Sequence, residues 1–147
     1  MMKIADKATE IFQNGFNCAQ AVLSAFGPEL GLERELCFKI GTPFGAGLAR
    51  KQEVCGAVAG ALMVIGLKFG RTSKDDVSVK ENAYGIARDF IQAFESRNSS
   101  IICRSLLGCD MNTTDGQKEI EEKNLFGTLC VKYVKDAVEI LEKLVIL

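Results

Sequence analysis

The chain has 147 residues, of which 48% are hydrophobic, a formal net charge of −1 and no histidine. This length and composition fit one globular domain, residues 1–147, and the near-neutral charge gives no reason to expect nucleic acid or an anionic membrane as a partner. The lack of histidine excludes Ser-His-Asp and Cys-His catalysis and histidine-ligated zinc or haem. The N-terminus lacks the apolar core of a signal peptide and no segment reaches transmembrane length, so we expect a cytoplasmic protein without a membrane span.

The first part of the chain predicts two helices and a shorter third one. Apolar residues at helical spacing indicate a helix over about residues 2–13. Asn17 is a suitable N-cap for the next helix, which places Cys18 at its first position. Residues 32–40 can form the third helix, and Cys37 lies among its apolar residues. We therefore assign Cys37 to the hydrophobic core.

A glycine-rich segment over residues 41–51 separates the third helix from the fourth. The segment lacks the Gly-Lys-Ser/Thr ending of a P-loop. It also lacks the G-x-G-x-x-G pattern, and no strand is predicted before it, so nucleotide binding is not predicted. Its backbone N–H groups beside Arg50 and Lys51 could hold a small anion or a sulfur-bearing ligand. The interpretation we prefer is a tight connection into the next helix.

The segment from residue 52 to residue 66 is the centre of the predicted fold. It has no charge after Glu53, which predicts a helix buried on all sides. Gly56 and Gly60 lie four residues apart on one face, where another backbone or a small ligand can come close, and we name both as candidate cofactor-binding residues. Cys55 falls in the predicted first turn, where unpaired N–H groups and the helix dipole favour a thiolate.

The next helix is the clearest amphipathic one in the sequence. Thr72 or Ser73 is its predicted cap, and it runs to about Ser96. Charged residues occupy one side of the helix. The other side predicts a buried stripe of Val77, Ala83, Tyr84, Ala87, Phe90, Ile91 and Phe94.

Two short helices and a long one complete the prediction. Cys103 lies near the start of a short helix, and Cys109 follows in a loop beside Asp110, whose charge disfavours a thiolate there. Residues 113–123 form a polar, solvated helix. Thr128 is the predicted cap of the last helix, with Cys130 in its first turn and residues 144–147 docked on the core. The fold class is thus all-α, with about seven helices around a buried, glycine-containing central helix.

Four of the six cysteines share one predicted environment, the N-terminus of a helix. Their spacing excludes a thioredoxin-like C-x-x-C motif, the close pairs of zinc ribbons and the bacterial ferredoxin pattern. The fold must therefore bring them together from distant segments, as two thiol pairs, one four-thiolate cluster or a cavity lined with sulfur. These cysteines are Cys18, Cys55, Cys103 and Cys130.

At these residues the sequence resembles a family that is named for the cysteine pattern C-GCAxxG-C-C. Residues 17–21 (Asn-Cys-Ala-Gln-Ala) resemble its first element, and residues 55–60 (Cys-Gly-Ala-Val-Ala-Gly) match the central one in the order C-G-A-x-x-G, with Val54 where the family label has glycine. Residues 103–110 and 130–134 resemble the last two elements. The likeness extends from about residue 8 to residue 144, and it implies a redox-active protein without supplying a substrate.

Three functions remain open at this point. The leading one is a thiol-based oxidoreductase in which Cys55 is the nucleophile, Cys18 its partner and Cys103 with Cys130 a second pair, acting on an unidentified redox partner or small ligand. The second is a metal or iron–sulfur module in which the same four cysteines are the ligands. In the third, the cysteines pack in the core and the glycine face forms a helix crossing or a homodimer contact.

Overall fold

The computed structural model describes residues 1–145, and helices account for most of that length. Within the described part the extended backbone is limited to one isolated β-bridge, between Val54 and Ile102. The all-α prediction is therefore confirmed. The eight α-helices are α1 (Ile4–Gln13), α2 (Cys18–Phe26), α3 (Arg34–Gly41), α4 (Gly56–Phe69), α5 (Val77–Asn98), α6 (Cys103–Leu107), α7 (Thr114–Lys123) and α8 (Val131–Leu144).

Helix α4 lies at the centre, between α2, α5 and α8, and α1 covers α2 and α8. The first six residues of α4 are buried, together with Val64 and Ile65. Its last turn is different, since Gly66, Leu67 and Lys68 are exposed. The prediction of burial on all sides is thus right for the body of α4 and wrong for its C-terminal end, which extends past the neighbouring helices. Within residues 1–145, no helix is both long and apolar enough to cross a membrane.

The glycine face of α4 is the contact surface for α2. A Cβ atom on Gly60 would lie 2.8 Å from the carbonyl oxygen of Ala19, and one on Gly56 would lie 3.2 Å from the Cβ of Cys18. These distances leave no room for a side chain at Gly60 without a shift of α2. The two glycines therefore allow the backbone of α2 to approach, and this approach places Cys18 beside the start of α4.

Helix α5 begins later than predicted. Its N-cap is Asp76, and Ser73 instead accepts a hydrogen bond from the Asp75 amide in a preceding turn. Of the predicted buried stripe, Phe90 and Phe94 are fully buried, as expected. Val77 and Tyr84 are exposed, at 55% and 56%, because the described chain covers only the C-terminal half of this helix closely.

The last helix starts in an unpredicted way. The chain turns at Asn124, whose φ is +50°, and a π-helical turn over Phe126–Cys130 leads directly into α8. Thr128 lies inside this turn and donates its hydroxyl hydrogen bond to the Asn124 carbonyl, so it is not the cap. Cys130 is consequently the last residue of the π turn, directly before α8, and it lies about one turn after the helical stretch begins at Phe126. The end of α8 is docked as far as the buried Val145; residues 146–147 lie outside the described part.

Candidate functional site

Cys18 is held at the start of α2 by a reciprocal cap. The Asn17 side chain accepts a hydrogen bond from the Gln20 amide, and the Gln20 side chain accepts one from the Asn17 amide, both at 2.9 Å. This confirms the predicted cap at Asn17. The Asn17 side chain also donates to the carbonyls of Gly41 and Thr42, at 3.2 and 3.1 Å. The capping residue thus ties the Cys18 end of α2 to the glycine-rich segment.

Cys55 and Cys103 lie on two segments that are joined by a short antiparallel ladder around the Val54–Ile102 bridge. The Cys55 amide donates to the Ile101 carbonyl at 2.7 Å, and the Cys103 amide donates to the Glu53 carbonyl at 2.6 Å. Cys55 is the N-cap residue of α4, one position before the predicted first turn, and Cys103 is the first residue of α6. Two helix starts that are distant in sequence are therefore joined through their backbones.

Gln52 is a site residue that the sequence analysis missed. It is buried, its side-chain nitrogen donates to the Cys109 carbonyl at 2.9 Å, and its side-chain oxygen accepts from the Met111 amide at 2.8 Å. Its own carbonyl accepts from the Arg104 amide. Gln52 thereby fixes the loop after α6 against the start of α4. The only sequence signal is a polar residue just before a long apolar run, which also occurs at ordinary helix starts.

The connection into α4 contains a run of left-handed backbone. Gly45–Leu48 closes a helical hydrogen-bonded turn, but φ is positive from Ala46 through Arg50 and again at Gln52. Only Gly47 in this run is glycine, and a Cβ there would lie 2.6 Å from the Cβ of Cys103. The left-handed conformation is unfavourable for the other residues by roughly 1–2 kcal/mol each. Such strain persists because the surrounding contacts determine the conformation.

The four predicted cysteines line one cavity. It has a volume of about 600 Å³, within the range of small-molecule sites. Cys37 and Cys109 are outside it: both are buried, and their thiols donate to the carbonyls of Leu32 and Gly116. Gly56 borders the cavity, whereas Gly60 faces α2. The remaining lining residues are Phe12, Gln13, Gly15, Phe16, Asn17, Ala46, Gly47, Arg50, Leu106, Leu107, Met111, Phe126, Gly127, Val131 and Tyr133.

Comparison with family models gives one match, over residues 16–144, to the family described as "Putative redox-active protein (C_GCAxxG_C_C)". The chain belongs to this family. The matched range includes all four cysteines of the cavity and the C-G-A-x-x-G element at the start of α4. Comparison with curated proteins and with solved structures found no match.

Among the cysteines of this C_GCAxxG_C_C protein, Cys18 and Cys130 have pKa values that shift in opposite directions. Hydrogen bonding from the Cys18 side chain lowers the pKa of Cys130 below its ordinary value, although burial opposes this. The same hydrogen bond, together with burial and the neighbouring thiolates, holds the pKa of Cys18 well above its ordinary value. The titrations of the two groups are therefore linked. The pairing of Cys18 with Cys55 stays a prediction.

Cys55 and Cys103 keep their protons more firmly. Burial raises the pKa of Cys55 to about 11, although the amides of Ala57 and Val58 donate to its sulfur and act in the opposite direction. Burial and the nearby Cys55 and Cys130 raise the pKa of Cys103 to about 12, against a hydrogen bond from Gln52. The expected effect of the helix N-terminus on Cys55 is present, but desolvation is larger.

Four thiolates are a suitable donor set for zinc, copper(I) or an iron–sulfur cluster. In residues 1–145, however, no three Cys, Asp or Glu side chains stand close enough together to hold a metal ion.

Proposed function

We propose that this protein carries out thiol–disulfide exchange with Cys18 and Cys130 as the reactive pair. The observation that carries the proposal is the presence of Cys18 and Cys130 in the wall of one cavity, and the lowered pKa of Cys130 beside Cys18 supports it. A thiolate is the attacking species in disulfide exchange, and a second thiol beside it can resolve the mixed disulfide. Cys130 replaces Cys55 as the nucleophile in this proposal, because the raised pKa of Cys55, about 11, keeps its thiol protonated near neutral pH.

The reaction consists of two exchange steps with a low-molecular-weight disulfide, RSSR. The Cys130 thiolate attacks one sulfur of RSSR, which forms a Cys130–SR mixed disulfide and releases RS⁻. The Cys18 sulfur then attacks the Cys130 sulfur, forms the Cys18–Cys130 disulfide and releases a second RS⁻, while its proton goes to a released thiolate. In sum, the Cys18 thiol and the Cys130 thiolate lose two electrons and one proton, and RSSR becomes one RSH and one RS⁻.

Cys55 and Cys103 form the second dithiol of the proposed site. Their helix starts are joined by the ladder between residues 53–55 and 101–103, and their raised pKa values leave them protonated while Cys130 reacts. We place this chemistry in the cytoplasm, where thiols are kept reduced and where cysteines in such numbers serve as redox or metal groups.

The test is to titrate the reduced protein anaerobically with hydroxyethyl disulfide, block the remaining thiols by alkylation and map the products by mass spectrometry. We expect the thiol count to fall first by two, with a peptide that links Cys18 to Cys130. The variant Cys130→Ser should lose this step, and Cys109→Ala, which removes a buried thiol outside the cavity, should retain it.

An unchanged thiol count, or a first disulfide between other cysteines, would contradict the proposal. Metal content is measured on the same anaerobic preparation. Stoichiometric iron, zinc or copper that is lost in Cys130→Ser would overturn thiol exchange in favour of the metal-binding hypothesis.

A further inference from the structure

The cavity is much larger than a disulfide bond requires, and its walls are mainly apolar. Beyond the cysteines they carry three phenylalanines, a tyrosine, two leucines and a methionine. Such walls favour a ligand whose carbon chain leaves water on binding. The sulfur atoms of the ligand would meet Cys18 and Cys130, and the rest of its chain would lie against Phe12, Phe16, Leu106 and Phe126.

Arg50 is the one charged residue among the described residues that line this cavity. No Asp or Glu accompanies it there. Its guanidinium also takes part in none of the ion pairs formed within residues 1–145. A guanidinium in this setting matches a carboxylate, which it can bind through two parallel hydrogen bonds. A ligand ammonium group would find no carboxylate in the cavity wall.

The backbone holds Arg50 at this position although the conformation is unfavourable. Its φ is +68°, and the Asn112 side chain donates to its carbonyl at 2.7 Å. Asn17, which caps the Cys18 helix, lines the same cavity. The left-handed run thus places one cation at the cavity that contains the reactive pair, and strain of this kind is typical of ligand-binding segments. Arg50 and its neighbour Lys51 are both exposed, but only Arg50 lines the cavity, where its side chain stays accessible to a ligand that enters from solvent.

From these observations we propose that the exchange partner is an apolar organic disulfide with one carboxylate on each half, bound with its chain in the cavity and its carboxylate on Arg50. The proposal rests on the thiol–disulfide exchange proposed above and specifies its substrate class. Zwitterionic peptide disulfides are disfavoured, because their ammonium groups would be desolvated without a counter-charge.

The first measurement uses ligands that contain no sulfur, so that binding is tested separately from disulfide exchange. The reduced protein is titrated with octanoate and with octanamide by isothermal titration calorimetry. These probes share a carbon chain and differ in charge. We expect octanoate to bind at least about tenfold more tightly than octanamide, since an Arg–carboxylate pair is a charge-assisted contact. Arg50→Gln should abolish this preference, while Arg50→Lys and the matched control Lys51→Gln should retain most of it. Circular dichroism verifies that each variant is folded.

The second measurement compares oxidation of the protein by the disulfides of 6-mercaptohexanoate and 6-mercaptohexanamide. The acid should react faster with the wild type, by about the same factor as the binding preference, and Arg50→Gln should remove the difference. Equal binding of octanoate and octanamide, or a preference that survives Arg50→Gln, would overturn the inference and leave thiol exchange standing. Preferential octanoate binding with oxidation by neither disulfide would support the ligand chemistry and overturn the proposed exchange.

Discussion

The two cysteine pairs of the cavity differ in what controls their protons. In the Cys18–Cys130 pair one thiol donates to the other sulfur, so that the pKa of Cys130 falls and that of Cys18 rises. In the Cys55–Cys103 pair both pKa values rise, and burial is the largest cause for each. Both pairs contain a cysteine at a helix start. Helix position alone therefore does not lower a cysteine pKa, and hydrogen bonding from Cys18 distinguishes Cys130 from the other three cysteines.

The largest effect on this comparison is expected from Gly47→Ala. The new Cβ would lie 2.6 Å from the Cβ of Cys103 and 2.6 Å from the Cα of Gln52, at a φ of +66° that side chains avoid. We expect the free energy of unfolding to fall by about 3 kcal/mol or more, because strain and overpacking add. Urea unfolding measures the loss. The new side chain should displace Cys103, which it would contact, more than Cys18 or Cys130.

Gly66→Ala is the matched control for that substitution. Gly66 lies in the exposed last turn of α4, and nothing is within 4 Å of a Cβ built there. Alanine should stabilise the helix by about 0.5–1 kcal/mol. If Gly47→Ala had the same small effect as Gly66→Ala, the left-handed run would not be as tightly constrained as described.

A smaller effect on the free energy of unfolding is expected from a change of pH, and its sign should differ between Cys55 and Cys130. An unfolded cysteine ionises near its ordinary pKa of about 8.5, whereas folded Cys55 keeps its proton to about 11. Below pH 8 both states are protonated. Above that value the unfolded state loses its proton first, so the free energy of unfolding should fall by roughly 2–3 kcal/mol by pH 11 from this residue. Urea unfolding from pH 8 to pH 11 should show a shallower fall for Cys55→Ala than for the wild type.

Cys130 should act in the opposite direction. Its folded pKa is lowered, so its contribution to stability is present above the unfolded pKa and is lost as pH falls through the folded pKa. Alkylation of the wild type by iodoacetamide at increasing pH, followed by peptide mass spectrometry, should therefore show Cys130 reacting at lower pH than Cys55. The same pH dependence of alkylation at Cys55 and Cys130 would show that the two pairs do not differ as described.

The smallest loss of stability is expected from a substitution at Tyr133, which connects α8 with α6. Tyr133 follows Cys130 by one helical turn, and its hydroxyl donates at 2.7 Å to the Leu106 carbonyl in α6, the helix that begins at Cys103. Tyr133→Phe leaves that buried carbonyl without this partner, and we expect a loss of about 1 kcal/mol in the free energy of unfolding. Thermal unfolding measures it. No loss at all would mean that α6 is positioned without this hydrogen bond.

Much of the fold follows from local signals in the sequence. The Asn17 cap, the apolar body of α4 and the burial of Cys37 were all predictable because the responsible contacts lie within a few residues or within one helical period. The choice of four cysteines for one site was likewise predictable from their shared position near helix starts, and they do line one cavity.

The pairing of the cysteines was not predictable in the same way. The start of α8 follows a π turn after a left-handed Asn124, and Thr128 gives the misleading appearance of a cap. The left-handed run from Ala46 to Arg50 contains one glycine, so residue types do not reveal it. Both features arise from packing between distant segments, and both position residues that line the cavity. Gln52 escaped notice for the same reason, since its partners follow α6.

The ladder between residues 53–55 and 101–103 has a consequence for biosynthesis. It joins two segments that are separated by the whole of α4 and α5, and Cys18 lies almost the entire chain away from Cys130. Loop closure over such distances is slow compared with helix formation. On the ribosome, Cys18 and Cys55 therefore emerge long before their partners exist. The proposed Cys18–Cys130 dithiol is assembled only after the last helix has been synthesised, so a truncated chain would contain Cys18, Cys55 and Cys103 without the complete cavity.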